Sequence, residues 1–364
     1  MLKILTFHVL FVVFFHQTNV IANCGCKAVR NCYSTMWEEL VYRDESKCIE
    51  DASAGTSTHM VFLKALLKYC PEFVEVSDIY ETHEQRVLYE VVLNIPLPNK
   101  DDEANKPVIL IDAGQRAGIE PVMFALYIIE QLVACEEHEE MIRKVKWVIL
   151  PSVNPDGLEF SRFQKQKWTK NKQPDEKHVS NGVDISRNFD HKWELCDNGH
   201  GMSPQYSGAK PNSELETIFV KDMLQKYKLK VKLYLSLKRD GHALLYPYGH
   251  TRDSSSKNST LTKVASIIST KINQKSGGIQ MFQNDSIFNI NGKPYCGNSV
   301  DYAFDMGIPL TYEIQMFPGN ELEILSNFQP LPKGFQNNLQ TGYISAIKDL
   351  FHIVTEPKTY KLKL

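Results

Sequence analysis

The sequence predicts a single α/β domain with a central mixed β-sheet flanked by helices, and three observations lead there. Apolar strand-like runs alternate with helical patterns along the chain. No long Gly/Ser-rich or Pro-rich linker divides it after Glu50. The 364 residues, 43% hydrophobic and 23% charged, are ordinary globular material and enough for one large domain.

Val108 to Asp112, Val145 to Pro151 and Lys232 to Lys238 are rich in Val, Ile, Leu and Tyr and read as strands. Pro121 to Val133 is apolar on nearly every face, as a buried helix with proline in its first turn would be. Asn212 to Lys228 reads as a second helix, opened by a Ser213-x-x-Glu216 capping box. Ser259 to Lys275 and Gln336 to Thr355 add two more with helical apolar spacing.

The first 22 residues carry Lys3, an apolar run from Ile4 to Phe15 and small residues before Asn23, so they read as a secretory signal. That run falls short of the roughly 20 apolar residues that span a bilayer. Secretion gives the eight cysteines their meaning: Cys24, Cys26, Cys32, Cys48, Cys70, Cys135, Cys196 and Cys296 are expected to form disulfides, with connectivity open. Asn258-Ser259-Thr260 and Asn284-Asp285-Ser286 are N-glycosylation sequons. Lys and Arg number 41 against 43 Asp and Glu, which favours neither a nucleic-acid nor a membrane-surface partner. Residues 23–57 form a short Cys-rich segment, 58–355 the main domain and 356–364 a tail.

Five blocks then point to a family. They are NPDG (Asn154 to Gly157), GVDISRNF (Gly182 to Phe189), YSGAKPNSE (Tyr206 to Glu214), LLYPYG (Leu244 to Gly249) and SVDYAFDMGIPLTYEIQM (Ser299 to Met316). In order and spacing they resemble the zinc metallocarboxypeptidases of the pancreatic carboxypeptidase A/B type, which implies a carboxypeptidase-like fold. Secreted relatives use a folded activation domain to restrain the enzyme; residues 23–57 have no room for one.

The resemblance also says where chemistry should stand. The family's first two zinc ligands come from an H-x-x-E motif after a strand ending in Asp-Gly-Gly. Here that strand ends Asp112-Ala113-Gly114, with Arg116 at the histidine and Ile119 at the glutamate. The third ligand position, counted back from Tyr246-Pro247-Tyr248, is Lys238. Arginine and an ammonium offer no lone pair and isoleucine has no donor atom, so no metal and no cofactor is expected. His242 and His250 lie nearby and read as loop histidines rather than replacement ligands.

The remaining catalytic positions follow the same course. The general base, nine residues along from Gly307 counting the glycine, becomes Gln315, and a carboxamide cannot relay a proton as a carboxylate does. Glu313, on the same strand face, reads as a solvated or ion-paired carboxylate. The oxyanion-stabilising arginine becomes Thr169 after Trp168, and the mobile tyrosine aligns with Lys293 unless a gap restores Tyr295. Arg187 keeps the place of the arginine that clamps a peptide's terminal carboxylate, its neighbour is Ser186 instead of asparagine, and Gly118 replaces a second arginine. Val300 stands where side-chain preference is tuned and would suit apolar C-terminal residues. Arg116, Lys238, Arg187 and Arg239 would leave the old pocket electropositive, or they pair with Asp240, Glu120 or Glu313. The expectation is a secreted, catalytically inactive member of the family that binds peptide C-termini or other anions. An active enzyme with relocated ligands and a purely structural secreted protein are the alternatives.

Overall fold

The computed structural model describes residues 24–40, 48–49, 55–164, 168–174, 181–239, 241–252, 258–276, 282–316 and 335–362. The expected signal, Asp240 and the end of the tail lie outside them. The helices are α1 (Asn31–Leu40), α2 (Thr56–Tyr69), α3 (Lys100–Asn105), α4 (Ile119–Ala134), α5 (Glu139–Lys144), α6 (Pro155–Gln164), α7 (Leu215–Tyr227), α8 (Asn258–Lys275), α9 (Ile287–Asn291), α10 (Ser299–Asp305) and α11 (Phe335–Thr355). The strands are β1 (Val74–Glu81), β2 (Val87–Leu93), β3 (Val108–Ala113), β4 (Lys146–Leu150), β5 (Val231–Lys238), β6 (Ala243–Tyr246), β7 (Gln283–Ser286) and β8 (Leu310–Gln315).

All eight strands join one mixed sheet in the order β1-β2-β4-β3-β5-β8-β6-β7. Its centre, β4-β3-β5-β8, is parallel, while β1, β2 and β6 run against their inner neighbours. Every residue of β3 is buried, which fits a parallel strand covered on both faces. One face packs Ile109, Ile111, Leu233 and Leu235 against helices that include α4, α8 and α11. The other packs Leu110, Val148 and Tyr234 against Phe219 of α7 and Ala303 of α10.

Four disulfides form, Cys24–Cys48, Cys26–Cys135, Cys32–Cys70 and Cys196–Cys296. The first closes the Cys-rich segment on itself, and the next two tie it to the ends of α4 and α2, with Tyr33, Met36 and Trp37 in the same core as the sheet. Glu130 of α4, fully buried, accepts a hydrogen bond from the Ile49 N–H at 2.6 Å and one from the Tyr33 hydroxyl. This anchoring is at the far end of α4 from Gly118. Sixteen residues of helix separate the two ends by roughly 24 Å. Among the described residues no helix is long and apolar enough to cross a membrane. Asn284, half-buried on β7, donates from Nδ2 to the Ser269 hydroxyl at 2.8 Å.

The expected capping box at α7 does not form. The N-cap is Glu214, without a side-chain cap bond, and the Ser213 hydroxyl donates to Glu214 Oε1 at 2.6 Å. Glu216 turns inward instead: Asn171 Nδ2 lies 3.2 Å from both its oxygens and 2.7 Å from Glu214 Oε2. Burial, with the nearby Glu214 charge, pushes the Glu216 carboxyl up from 4.5 to about 8, against hydrogen bonds that favour the ionised form. Unfolded chains lose this proton near 4.5 and the folded chain keeps it to about 8. Stability therefore falls as pH rises between those values, by about 1.4 kcal/mol per pH unit for one proton. Glu216→Gln is expected to remove that part of the slope in denaturant titrations across this range, and an unchanged slope would exclude Glu216 as its source.

Candidate functional site

The carboxyl ends of the parallel strands β3, β5 and β8 lie side by side, with Asp112 opposite Ser236 and Lys238 opposite Gln315. Strand ends of this kind are where α/β sheets carry their sites. Alternation along a strand puts Glu313 and Gln315 on one face of β8. The Lys238 Nζ donates to Glu313 Oε2 at 2.6 Å, and Gln315 Nε2 donates to Glu313 Oε1 at 2.8 Å, so both carboxylate oxygens are taken. Lys238 is 1% exposed and Glu313 4%. Burial works against the ammonium, but the Glu313 charge and hydrogen bond outweigh it and hold the Lys238 pKa above its ordinary value. Lys238 is thus a protonated partner of Glu313.

Asp112 lies next to this pair. It accepts hydrogen bonds from the Tyr234 hydroxyl, from the Ser236 hydroxyl at 3.0 Å and from Gln115 Nε2 at 3.0 Å. Burial pushes its carboxyl up to about 6, opposed by these bonds and by the Lys238 charge.

The arginines gather around Asp184. Its Oδ2 stands 3.6 Å from Arg187 Nε and 3.8 Å from Arg116 Nε, both beyond hydrogen-bond length. Its Oδ1 takes the Ser186 hydroxyl at 2.6 Å. Ser186 in turn meets the Tyr295 hydroxyl at 2.6 Å, and the Arg187 guanidinium lies 4.0 Å over the Tyr295 ring. Of the two alignments left open, the structure brings Tyr295 into the site, while Lys293 is exposed two residues away. Gly297 sustains this arrangement: its φ is +66°, and a Cβ there would lie 2.3 Å from the Arg187 carbonyl oxygen.

Other expected positions are not brought into one pocket. Ile119 opens α4, half-buried and packed on the core. Arg239 donates from Nη1 to the Ala117 carbonyl at 2.9 Å and covers Gly118, where a Cβ would meet Arg239 Cδ at 2.4 Å. The Arg239 side chain thus fills space that a side chain at 118 would need. Thr169 donates to the Pro204 carbonyl at 3.0 Å and lines a cavity of about 110 Å³ with Trp168, Lys170, Asn181, Met202 and Pro204. Val300 is fully buried in the core on the α7 side of the sheet.

The donor set can be tested against the zinc ion that such a fold implies. A zinc centre needs lone pairs from neutral imidazoles or carboxylates at about 2.0–2.2 Å. Arg116 has none to give, Ile119 has no donor, and the Lys238 ammonium is bound to Glu313. These residues do not fit zinc. Of the pairings the sequence left open, Lys238 takes Glu313; what sequence reasoning did not find is the role of Asp184 as common neighbour of two arginines. The strand register of β5 against β8 would have singled out Glu313.

The match to known proteins agrees with the fold. A family model described as zinc carboxypeptidase covers residues 59–343. The chain belongs to the zinc carboxypeptidase family. Carboxypeptidase B of Helicoverpa zea is 31% identical over 258 residues, which is 68% of this chain and 58% of that protein. Zinc carboxypeptidase A 1 of Drosophila melanogaster is 30% identical over 267 residues, 70% of this chain and 59% of that protein. The chain spans less than two thirds of the length of these two relatives. Among solved structures, bovine thrombin-activatable fibrinolysis inhibitor, in complex with tick carboxypeptidase inhibitor, superposes with a TM-score of 0.73 at 20% identity, covering 85% of this chain and 99% of that one. The carboxypeptidase A of Helicoverpa armigera gives 0.73 at 20% identity, covering 89% and 79%. These structures share the fold of this chain, a single α/β domain on a mixed sheet of eight strands among the described residues.

Proposed function

We propose that this member of the zinc carboxypeptidase family does not hydrolyse peptides and that its cleft binds carboxylates, foremost the C-termini of peptides. The observation that carries the reading is the buried Lys238–Glu313 pair, closed by Gln315, at the strand ends. An ammonium, a guanidinium and an isoleucine at the three ligand positions leave no metal-bound water to attack a peptide bond, and the Gln315 carboxamide leaves no base to activate one. Loss of the ligand set and the base together supports this reading over relocated ligands.

Binding rests on Arg187. Its guanidinium, stacked on Tyr295 and 7% exposed, has its nearest carboxylate at 3.6 Å, outside hydrogen-bond length. An incoming carboxylate would gain charge-assisted hydrogen bonds there. Arg116, 3.8 Å from the same Asp184 oxygen, adds positive charge. The leader-like first 22 residues and the four disulfides support secretion as the setting.

Isothermal titration with peptides that differ only in a free or amidated C-terminus tests the binding. The free peptide is expected to bind at least tenfold more tightly, and Arg187→Met to erase the difference, as loss of a hydrogen bond to a charged group costs about 1.5–3 kcal/mol. Equal affinity for both peptides would overturn the carboxylate reading and leave the purely structural alternative.

A further inference from the structure

A second group of donors lies where the chain after β6, the segment around His191 and helix α10 meet. His191, His250 and Asp301 each offer one ligand atom, and these atoms lie within 4.8 Å of one another. All three side chains are inside the fold: 10% exposed for His191, 13% for His250 and none for Asp301. The cluster shares no residue with the Lys238–Glu313 pair.

The surroundings of each donor are those of a ligand. His191 Nε2 lies 2.7 Å from Asp305 Oδ2, and the other Asp305 oxygen accepts the Tyr248 hydroxyl at 2.8 Å. A histidine held by a carboxylate at one nitrogen presents the lone pair of the other, the arrangement that orients metal-binding imidazoles. That second atom, His191 Nδ1, is buried and has no hydrogen-bond partner among the described residues. A buried polar atom left unpaired is costly, and a ligand removes the cost. Asp301 is fixed by the Gly249 N–H, at 2.9 and 3.0 Å from its two oxygens, so its carboxylate does not need to be ordered on binding. His250 Nδ1 stands 3.0 Å from Asp301 Oδ2. That is close to the separation of about 3.3 Å between two ligands of a tetrahedral zinc ion.

We propose that His191, His250 and Asp301 bind a divalent transition-metal ion, with Asp305 as the carboxylate that orients His191. Two imidazoles and one carboxylate suit zinc or copper better than calcium or magnesium, which prefer all-oxygen shells. Binding through His250 Nδ1 replaces its contact with Asp301 and leaves the single proton of the neutral imidazole on Nε2, with no net proton release. Coordination requires the donors to close from within 4.8 Å to about 3.3 Å, with the Gly249 N–H already holding Asp301. A fourth position is left to water. The site is structural in this reading and provides no hydrolytic base.

Zinc titration by calorimetry of the full chain, stripped with a chelator, is the test. One ion per chain is expected, with at least tenfold weaker binding in both His191→Gln and His250→Gln. Asp305→Asn, which touches only the orienting carboxylate, is expected to weaken binding by about 10–100-fold. His83→Gln, exposed and outside the cluster, is the unaffected control. If the histidine variants fold poorly, the intact protein still decides: zinc must shift the imidazole resonances of His191 and His250. No uptake, uptake undiminished in both histidine variants, or unshifted resonances would each overturn the site.

Discussion

Replacing Glu313 by glutamine is expected to lower the unfolding free energy by about 3–5 kcal/mol, the cost of leaving one member of a buried ion pair without its partner. The size follows from the surroundings. Lys238 is 1% exposed, its ammonium is held 2.6 Å from Glu313, and the remaining neighbouring carboxylate, Asp112, is engaged by Tyr234, Ser236 and Gln115. The double variant Lys238→Met/Glu313→Leu is expected to recover most of the loss, since apolar replacement of a buried pair is often neutral or stabilising. Denaturant unfolding of Lys238→Met, Glu313→Leu and the double completes a cycle whose coupling term reports the pair directly. A loss below about 1 kcal/mol for Glu313→Gln would mean that the pair is solvated, contrary to the burial argued above.

The second large effect is a gain. Arg116→His, Ile119→Glu, Lys238→His and Gln315→Glu together restore lone-pair donors and a carboxylate at the positions the family resemblance assigns. Those four alone would strand Glu313, whose cation is gone and whose neighbour at 315 has become a second acid. Glu313→Gln is therefore added. The five-substitution chain is expected to retain one zinc ion more than the parent after dialysis, measured by metal analysis of both. Equal zinc content would show that Arg116, Ile119 and Lys238 do not converge on one point and that the alignment at the strand ends is wrong.

Much of the fold could be read in the sequence where burial is complete. β3, β4 and β5 are rich in apolar residues because both sheet faces are covered, and α4 is apolar on nearly every face for the same reason. β1 and β7 could not be read so, since Val74–Glu81 carries Glu75, Asp78 and Glu81 on an open edge, and Gln283–Ser286 is polar throughout. The capping box failed because Asn171, distant in sequence, draws both Glu214 and Glu216 inward. In the site, the identities at Arg116, Lys238 and Gln315 were legible through the resemblance, and Glu313 stood among the open partners, but which contact forms was not legible. The choice of Glu313 for Lys238 depends on the pairing of β5 with β8, and the meeting of Arg116 with Asp184 depends on two segments that come together only in the folded chain. Tyr295 and Lys293 could be told apart only by which side chain is buried.

The most direct measurement is release of C-terminal amino acids from unblocked peptides by the purified chain in the presence of added zinc, with and without a chelator. The account predicts no release above the peptide-only control in either condition. Release that the chelator abolishes and that survives His191→Gln would contradict it, because it would place a working metal at strand ends where Lys238 and Glu313 are paired.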